Sequence, residues 1–573
     1  MSQMLDLTSN VSPSPYLSAQ LKHNKEAAIL DVIDVGLGSV TDIDEEKQQY
    51  EGASTEVQRG LKSRHIQLIA LGGAIGTGLF IGSGGALATC GPAPLLISYM
   101  VMSFFVWCLM NQLTEMVALI PLSGEASMYA MTRTYVSSPV SFMCGWNLFY
   151  AMAMIAPAEI TACALLIKYW TDANSAIFVS IFVVITIAVT MLPVRVFGES
   201  EFWVSTIKLL TITGLIIVGL VIFFGGGPAQ DHVLGFHYWK HPGAFREHLV
   251  PGSTGKFLAV WTAIIKSGFS FVLMPELVTS CSAESVNPRV NMPKACKRFV
   301  YRLAFFYICG VLVIGVVVGS NNNHLLNALA TGTSDAAASP YVIGIKDAGI
   351  RVLPHIINAC ILTSAYSAGT AELYGSSRVL HSMAIRGDAP KIFGKVNRFG
   401  VPYYSTGLAS LFCFLAYLNC SDSASVVFTW LSNIATISGF VSWIFVSITY
   451  IRFRKVVKYL NLADRLPFTP RFQYQFAWAG GIFFTVLALT NGYAVFINGN
   501  WNTSDFFASY VTIGFVAVLY IGSTIYYRQF KFRDMEEIKL DILPKIERAE
   551  EEERNYVFPV PKNVAEKIWT AII

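Results

Sequence analysis

Residues 65–85 have the sequence HIQLIALGGAIGTGLFIGSGG, which begins as an apolar helix and becomes rich in glycine around Gly76-Thr77-Gly78. Each glycine inside a helix costs roughly 1 kcal/mol relative to alanine, so the helix is weakened at this point. Within a membrane, loosened backbone is tolerated only where protein or a water-filled cavity surrounds it. The stretch therefore predicts a helix broken at mid-membrane, whose freed N–H and C=O groups face a polar ligand. A helix whose small residues serve close packing is the alternative.

The composition of the chain is that of a polytopic membrane protein. Of its 573 residues, 54% are hydrophobic and 14% are charged, and the mean hydropathy is +0.51. Average soluble proteins carry about 25% charged residues. The 10 cysteines form no C-x-x-C pair, and the sequence has no nucleophile–base pair, metal motif or phosphate-binding loop. We therefore expect neither an enzyme nor a metal or organic cofactor, and no nucleic-acid partner.

About twelve apolar stretches follow one another, each close to the ~20 residues that a bilayer-spanning helix needs. Lys and Arg cluster in alternate connections, at 289–302, 378–398 and 452–471, whereas 89–94 and 498–505 contain neither. By the positive-inside rule this alternation predicts an even number of spans with both termini in the cytosol. The stretches are 66–88, 95–118, 139–168, 175–194, 203–224, 257–282, 299–319, 353–380, 402–420, 426–450, 475–497 and 506–527.

The predicted organisation is a transporter domain between two polar tails. Residues 1–60 predict a disordered cytosolic tail, because they are rich in Ser and charge and poor in aromatic residues. Residues 61–527 hold the twelve helices, and residues 528–573 form a cytosolic C-terminal tail. The charged segment 537–554 predicts an amphipathic or disordered stretch whose charges form a solvated face.

A second interruption lies in the sixth apolar stretch, where Pro275 and Glu276 follow Met274. Proline removes a backbone donor from a helix interior, and an ionisable group at bilayer depth costs at least ~2.5 kcal/mol. Glu276 is therefore a functional candidate, with a structural carboxylate bonded to a neighbouring helix as the alternative. Interrupted helices at positions one and six predict two inverted repeats of five helices, plus two extra helices. Free N–H groups in one break and C=O groups in the other suit a zwitterion such as an amino acid.

Five further side chains are candidates for the same region. Glu159 in the third stretch is a second buried acid. Lys208 lies in the fifth apolar stretch. Its ammonium group either acts as a built-in cation in place of sodium or extends to the membrane interface. Ser367 and Thr370 in the eighth stretch either contribute to substrate binding or bond to their own helix backbone. Phe271 either covers the substrate or packs in the core.

Five blocks along the chain carry a resemblance to a known family. LKSRHIQLIALGGAIGTGLFIGSG at 61–84 is similar to a first-helix signature. FGESEFWVSTIK at 197–208 and GFHYWKHPGAF at 235–245 are similar to two later blocks. AESVNPRVNMPKACKRFVYR at 283–302 and SSRVLHSMAIRGDAPKIF at 376–393 are similar to two loop blocks. In this order they resemble the fungal amino-acid permease family within the amino acid–polyamine–organocation transporters. The resemblance implies a LeuT-type fold, proton-coupled amino-acid import and a fungal plasma membrane.

The resemblance also implies roles for individual residues. Around Ile75, the break of the first helix would bind the substrate carboxylate through Gly76, Thr77 and Gly78. The sixth helix would receive the ammonium and line the side-chain pocket with the region from Phe271 through Met274 to Glu276. Glu276 and Glu159 occupy the positions of the family's buried carboxylates, and Lys208 that of a lysine at a sodium site. Met274 and Thr370 stand where many members carry Gly and Asn, which leaves the substrate range open.

We expect a proton-coupled importer of neutral or a broad range of L-amino acids, embedded in the lipid bilayer of the plasma membrane. The proton is the coupling ion, with Glu276 as its first site and Glu159 and Lys208 as further coupling groups. The alternatives are a non-transporting amino-acid sensor and a carrier of polyamines or other organic cations.

Three lysines of the N-terminal tail, Lys22, Lys25 and Lys47, resemble the sites at which fungal permeases are ubiquitinated. They make ubiquitin ligase machinery an expected partner, although three lysines in a polar tail also arise by chance.

Overall fold

The computed structural model describes residues 75–121, 127–171, 173–280, 287–331, 339–397, 399–420, 424–497 and 499–555. The predicted disordered tail and its Lys22, Lys25 and Lys47 lie outside these residues, as does the first part of the glycine-rich stretch.

Helices account for nearly all regular structure in the described part of the chain, which contains no strand. A π-helical turn, Gly78–Gly82, precedes the first α-helix. The α-helices are α1 (Ser83–Cys90), α2 (Pro92–Leu119), α3 (Ser127–Tyr135), α4 (Ser138–Ile167), α5 (Ser175–Thr190), α6 (Val194–Phe223), α7 (Gly252–Phe271), α8 (Met274–Ser280), α9 (Pro288–Val317), α10 (Asn323–Thr331), α11 (Pro340–Asp347), α12 (Leu353–Ile385), α13 (Tyr403–Cys413), α14 (Ala424–Tyr459), α15 (Gln473–Thr490), α16 (Thr503–Tyr527) and α17 (Met535–Arg554).

By length and composition, 7 helical segments of the described residues can cross a membrane, and shorter apolar helices lie at Gly78–Cys90 and Ser175–Thr190. The other predicted spans coincide with α12, with α13 and the 3₁₀ turn that follows it, and with α15. The predicted stretches are therefore mainly helical wherever they are described.

Two pairs of long helices form the most extensive contacts. The helix α4 packs along α12, and α2 packs along α9. In the predicted repeats these are the third and eighth spans and the second and seventh spans. Each pair thus joins equivalent helices of the two predicted repeats.

The first span is interrupted near the predicted position. Ile75 and Gly76 form a bend, Thr77 begins the helix, and the next five residues form the π-helical turn Gly78–Gly82. Single-turn π-helical segments are rare and frequently lie at functional sites.

The interruption of the sixth span lies slightly before the predicted one. The helix α7 ends at Phe271, Val272 is extended with ψ 138°, and Leu273 has a left-handed backbone with φ 59° before α8 begins. Pro275 therefore occupies the first turn of α8, where a backbone N–H has no acceptor within the helix. The prediction that Pro275 breaks the helix from its interior was wrong, because the turn at Val272 and Leu273 has already ended α7.

The charged C-terminal segment is an amphipathic helix with one buried face. Ile538, Ile542 and Ile546 of α17 are fully buried, whereas Leu540 is exposed. Just before α17, the N–H of Arg533 donates to the carbonyl of Val136 at 2.8 Å. The predicted solvated face is therefore correct for one side of the helix only, since the isoleucines at every fourth position cover apolar surface.

Candidate functional site

The two helix breaks touch each other at Gly78 and Ser270. A Cβ atom added to Gly78 would lie 2.6 Å from the Ser270 Oγ and 2.7 Å from its Cα, so only glycine permits this approach. Ser270 is held in place from two sides. Its Oγ lies 2.6 Å from the Tyr99 hydroxyl of α2, and its carbonyl accepts a hydrogen bond from the Tyr307 hydroxyl of α9 at 2.8 Å.

The free donors of the first break face the carboxylate of Glu159. Its Oε1 accepts from the Thr77 N–H at 3.3 Å and from the Thr77 hydroxyl at 2.9 Å. A Cβ on Gly76 would lie 2.9 Å from the same oxygen. Glu159, in α4, is only 3% exposed. A carboxylate of the protein itself thus occupies the position that the sequence predicts for the substrate carboxylate.

A small cavity lies between the breaks. Its volume is about 20 Å³, which holds about one water molecule. The cavity is too small for an amino acid, so the site must widen to bind one. It is lined by Gly76, Gly78, Ile155, Glu159, Phe269, Ser270, Val272, Met274, Ala368 and Glu372.

Three buried carboxylates lie in this region: Glu159 and Glu372 line the cavity, and Glu276 lies in α8 outside its lining. Glu159, Glu276 and Glu372 are each at most 4% exposed, and each has one oxygen without a hydrogen-bond partner among the described residues. The other oxygen of Glu276 accepts from the Trp443 indole N–H at 3.4 Å. Glu372 interacts electrostatically with both Glu159 and Glu276. Because an unpaired buried charge costs several kcal/mol, these oxygens are suited to a proton or to the N–H groups of a ligand.

Lys208 forms a second polar group in α6. Its side chain is fully buried, and its Nζ lies 4.0 Å from the Glu201 Oε1. The same oxygen accepts from the Ser367 hydroxyl of α12 at 2.5 Å. The predicted extension of Lys208 to the membrane interface does not occur in this conformation.

Glu201 was not singled out from the sequence. The available signal is its spacing from Lys208, since residues seven apart lie on the same face of a helix.

The remaining predicted site residues lie at different distances from the cavity. Met274 lines it, while the Ile75 carbonyl accepts from the Ser364 hydroxyl at 2.9 Å. Phe271 packs edge-on against Tyr307 with ring centroids 4.8 Å apart. The Thr370 hydroxyl donates to a carbonyl of its own helix at 2.8 Å. Substrate binding by Phe271, Ser367 and Thr370 stays a prediction, because none of the three lines the small cavity.

Comparison with known proteins decides the family. Residues 65–535 match the family described as Amino acid permease. This chain belongs to the amino acid permease family. The permease is 45% identical over 522 residues to "Proline-specific permease" of Saccharomyces cerevisiae, covering 90% of this chain and 83% of the relative. It is 46% identical over 499 residues to "Probable proline-specific permease put4" of Schizosaccharomyces pombe, covering 87% and 90%.

The fold of the permease is also that of a solved transporter. A crystal structure of the Eremococcus coleocola manganese transporter, bound to an aromatic bis-isothiourea substituted compound, matches with a TM-score of 0.51 at 14% identity. The match covers 87% of this chain and 98% of that one. The predicted LeuT-type fold is confirmed. The permease is a multi-pass membrane protein that transports amino acids, and it is not an enzyme.

Proposed function

We propose that the permease is a proton-coupled importer of a small neutral L-amino acid, with L-proline as the first candidate. Two relatives named as proline-specific are 45% and 46% identical to it over most of the chain. The apolar wall of the cavity, formed by side chains such as Ile155, Phe269 and Met274, also favours a small uncharged substrate.

The contact between Thr77 and Glu159 carries the proposal. A substrate carboxylate that binds the Thr77 N–H and hydroxyl must displace the Glu159 Oε1, which occupies both donors. The displaced carboxylate remains in a buried site, where an unpaired charge costs several kcal/mol. A proton taken up by Glu159 removes this cost. Substrate binding and protonation are then linked through one oxygen atom.

The other end of the substrate lies toward the second break. The final carbonyls of α7 and the carboxylate of Glu372 are acceptors for the substrate amine. Glu276, which the sequence predicts as the first proton site, has one oxygen bonded to Trp443. In this proposal Glu159 takes up the coupled proton, and Glu276 is a further candidate. At about −100 mV, one imported charge contributes about 2.3 kcal/mol, which supports an accumulation of about 50-fold.

We infer that the permease lies in the plasma membrane, as the family resemblance implies, and that both termini lie in the cytosol, which the alternation of basic and neutral loops supports. Antibody access to epitope tags at the two termini tests this arrangement. Staining of intact cells would contradict it, and staining only after permeabilisation would support it.

The substrate proposal is tested by uptake of labelled L-proline in a host that lacks its own amino-acid permeases. Unlabelled proline and alanine should compete, whereas lysine, glutamate and prolinamide should not. Competition by lysine and glutamate as strong as that by proline would contradict a small neutral substrate. Competition by prolinamide would contradict carboxylate recognition at Thr77.

A further inference from the structure

Glu201 is a buried carboxylate that takes no part in the transport cycle proposed above. It lies in α6 and is 3% exposed. Its Oε1 lies 4.0 Å from the Lys208 Nζ and accepts the hydrogen bond of Ser367 at 2.5 Å. The side chain is therefore fixed between a cation of its own helix and a hydroxyl of α12.

The surroundings of this pair exclude water. Glu201 and Lys208 lie seven residues apart on the face of α6 that packs toward α12, and Lys208 is fully buried. Trp203 and Leu210, on another face of α6, are 65% and 69% exposed and are suited to lipid. A buried ion pair that loses one partner leaves an uncompensated charge, which is strongly unfavourable.

Lys208 also interacts electrostatically with Glu159. One buried cation therefore lies near two carboxylates that differ in how they are held. Glu201 is fixed by Ser367, whereas Glu159 is bonded to Thr77 of the substrate-binding break. The single positive charge of Lys208 neutralises one carboxylate and leaves the other to exchange a proton.

Further titratable side chains face the two carboxylates. Tyr366 of α12 interacts electrostatically with Glu201. Cys163, Tyr307 and Glu372 interact in the same way with Glu159. Among these side chains Lys208 is the one that bears a positive charge. Whether it pairs with Glu201 or with Glu159 therefore decides which of the two carboxylates stays ionised.

We propose that Glu201 is the fixed counter-ion of Lys208, a positioning residue that leaves Glu159 free to take up and release the transported proton. This inference rests on the proposed function, since it concerns the coupling step of that cycle. Without Glu201, Lys208 pairs with Glu159, which then stays ionised and carries no proton.

The test uses full-length permease in proteoliposomes with labelled L-proline, and compares two modes of transport. In Glu201→Gln, exchange of external for internal proline should continue, whereas accumulation driven by a pH gradient should be lost. One coupled proton supports an accumulation ratio of up to about tenfold for each pH unit of the gradient, and in Glu201→Gln the ratio should fall to about one. Glu201→Asp keeps the charge and should retain part of the accumulation.

A matched variant and the exchange assay separate coupling from damage to the fold. Glu199→Gln makes the same change two residues away at a partly exposed position of α6, and should accumulate proline as the unmodified protein does. Exchange by Glu201→Gln at the rate of the unmodified protein shows that its fold and its substrate site are intact. Accumulation in Glu201→Asp as low as in Glu201→Gln would overturn the proposal, because aspartate keeps the charge of the counter-ion.

The outcomes distinguish this proposal from the proposed function. If Glu201→Gln accumulates proline as well as the unmodified protein, Glu201 is not the counter-ion, while the proton-coupled cycle stands. If the unmodified protein itself shows no accumulation in a pH gradient, proton coupling fails, and the role of Glu201 in it fails as well.

Discussion

At the scale of single residues, the site depends on the missing side chain of Gly78. The Cβ of Gly78→Ala would meet the Ser270 backbone, so the two breaks would have to separate. We expect uptake to fall by at least about tenfold, which corresponds to a 1.4 kcal/mol change. Gly514→Ala in α16 is the control, because nothing lies within 4 Å of its added Cβ. Uptake per molecule at the cell surface is measured for both, and equal activity would contradict the role of Gly78.

Met274 is one of the apolar side chains that line the cavity. Met274→Ala should enlarge it and allow a larger neutral amino acid such as leucine to compete for proline uptake. Truncation of a buried methionine to alanine costs about 2–5 kcal/mol of stability. Met110→Ala in α2 removes an equally buried side chain away from the cavity. It should lower stability without widening the substrate range, and competition by leucine in this control alone would contradict the assignment.

The residue types of the site were visible in the sequence, but most of their contacts were not. Gly76-Thr77-Gly78 and Glu159 could be predicted because glycine and acid are unusual in apolar helices. That Glu159 itself occupies the donors of Thr77 depends on how α4 packs on the first span, which no local pattern encodes. Ser367 was predicted as a substrate ligand, whereas its hydroxyl bonds to Glu201.

At the scale of elements, the second break is made by a left-handed residue that is not glycine. Leu273 has φ 59° and is fully buried, and this backbone costs an L-residue roughly 1–2 kcal/mol. Such strain is typical of functional sites. Proline is a visible sequence signal and glycine is another, but leucine gives none. For this reason the sequence predicted the break at Pro275 rather than at Val272 and Leu273.

The strain at Leu273 predicts that replacement by glycine and replacement by alanine affect stability in the opposite order from that in an ordinary helix. In a helix interior, alanine is more stabilising than glycine by about 1 kcal/mol. At Leu273 the glycine variant should be at least as stable as the alanine variant, because glycine adopts this φ without strain. Leu373 in α12 is equally buried within a helix and should show the usual order. Thermal unfolding of the four purified variants measures both orders, and the usual order at both positions would contradict the strain.

At the scale of the whole molecule, α17 connects distant parts of the chain. Arg465, beyond α14, forms two hydrogen bonds of 2.7 and 2.8 Å with Glu550. Arg289, at the start of α9, lies 2.8 Å from Glu553. Two-point contacts of arginine with a carboxylate are among the stronger polar interactions of proteins. The helix therefore joins α9 to the segment after α14.

The contact between Arg465 and Glu550 also makes the docking of α17 depend on pH. The hydrogen bonds from Arg465 hold the pKa of Glu550 below its ordinary value of 4.5. A lowered carboxyl pKa stabilises the docked helix above the ordinary value, and this contribution is lost as the pH falls through the lowered pKa. Docking should therefore be unchanged near neutral pH and weaken below about pH 4.5. Hydrogen exchange of the α17 amides across this pH range measures the effect, and weakening between pH 6 and 7 would contradict it.

The buried face of α17 predicts that a charge introduced on that face releases the helix, whereas a charge introduced on the exposed face does not. Ile542→Asp would bury an unpaired charge, which costs several kcal/mol, and should release the helix. Leu540→Asp changes a side chain that is 77% exposed and should leave the helix docked. Limited proteolysis of the C-terminal segment should be faster by more than about tenfold in the first variant only. Equal cleavage rates would show that the isoleucine face does not hold the helix.

The whole-molecule architecture was the most predictable level, because each spanning helix needs about 20 apolar residues and each loop carries its own charge signal. The docking of α17 was less predictable, since the same charged pattern is found in a free helix and in a docked one.

The central claim is that proline binding between the two breaks is coupled to a proton. Uptake of labelled L-proline into proteoliposomes, with and without an imposed inward proton gradient, tests it most directly. We predict accumulation above the external concentration that requires the gradient and disappears with a protonophore or in Glu159→Gln. Uptake that reaches the same level without the gradient would contradict the claim.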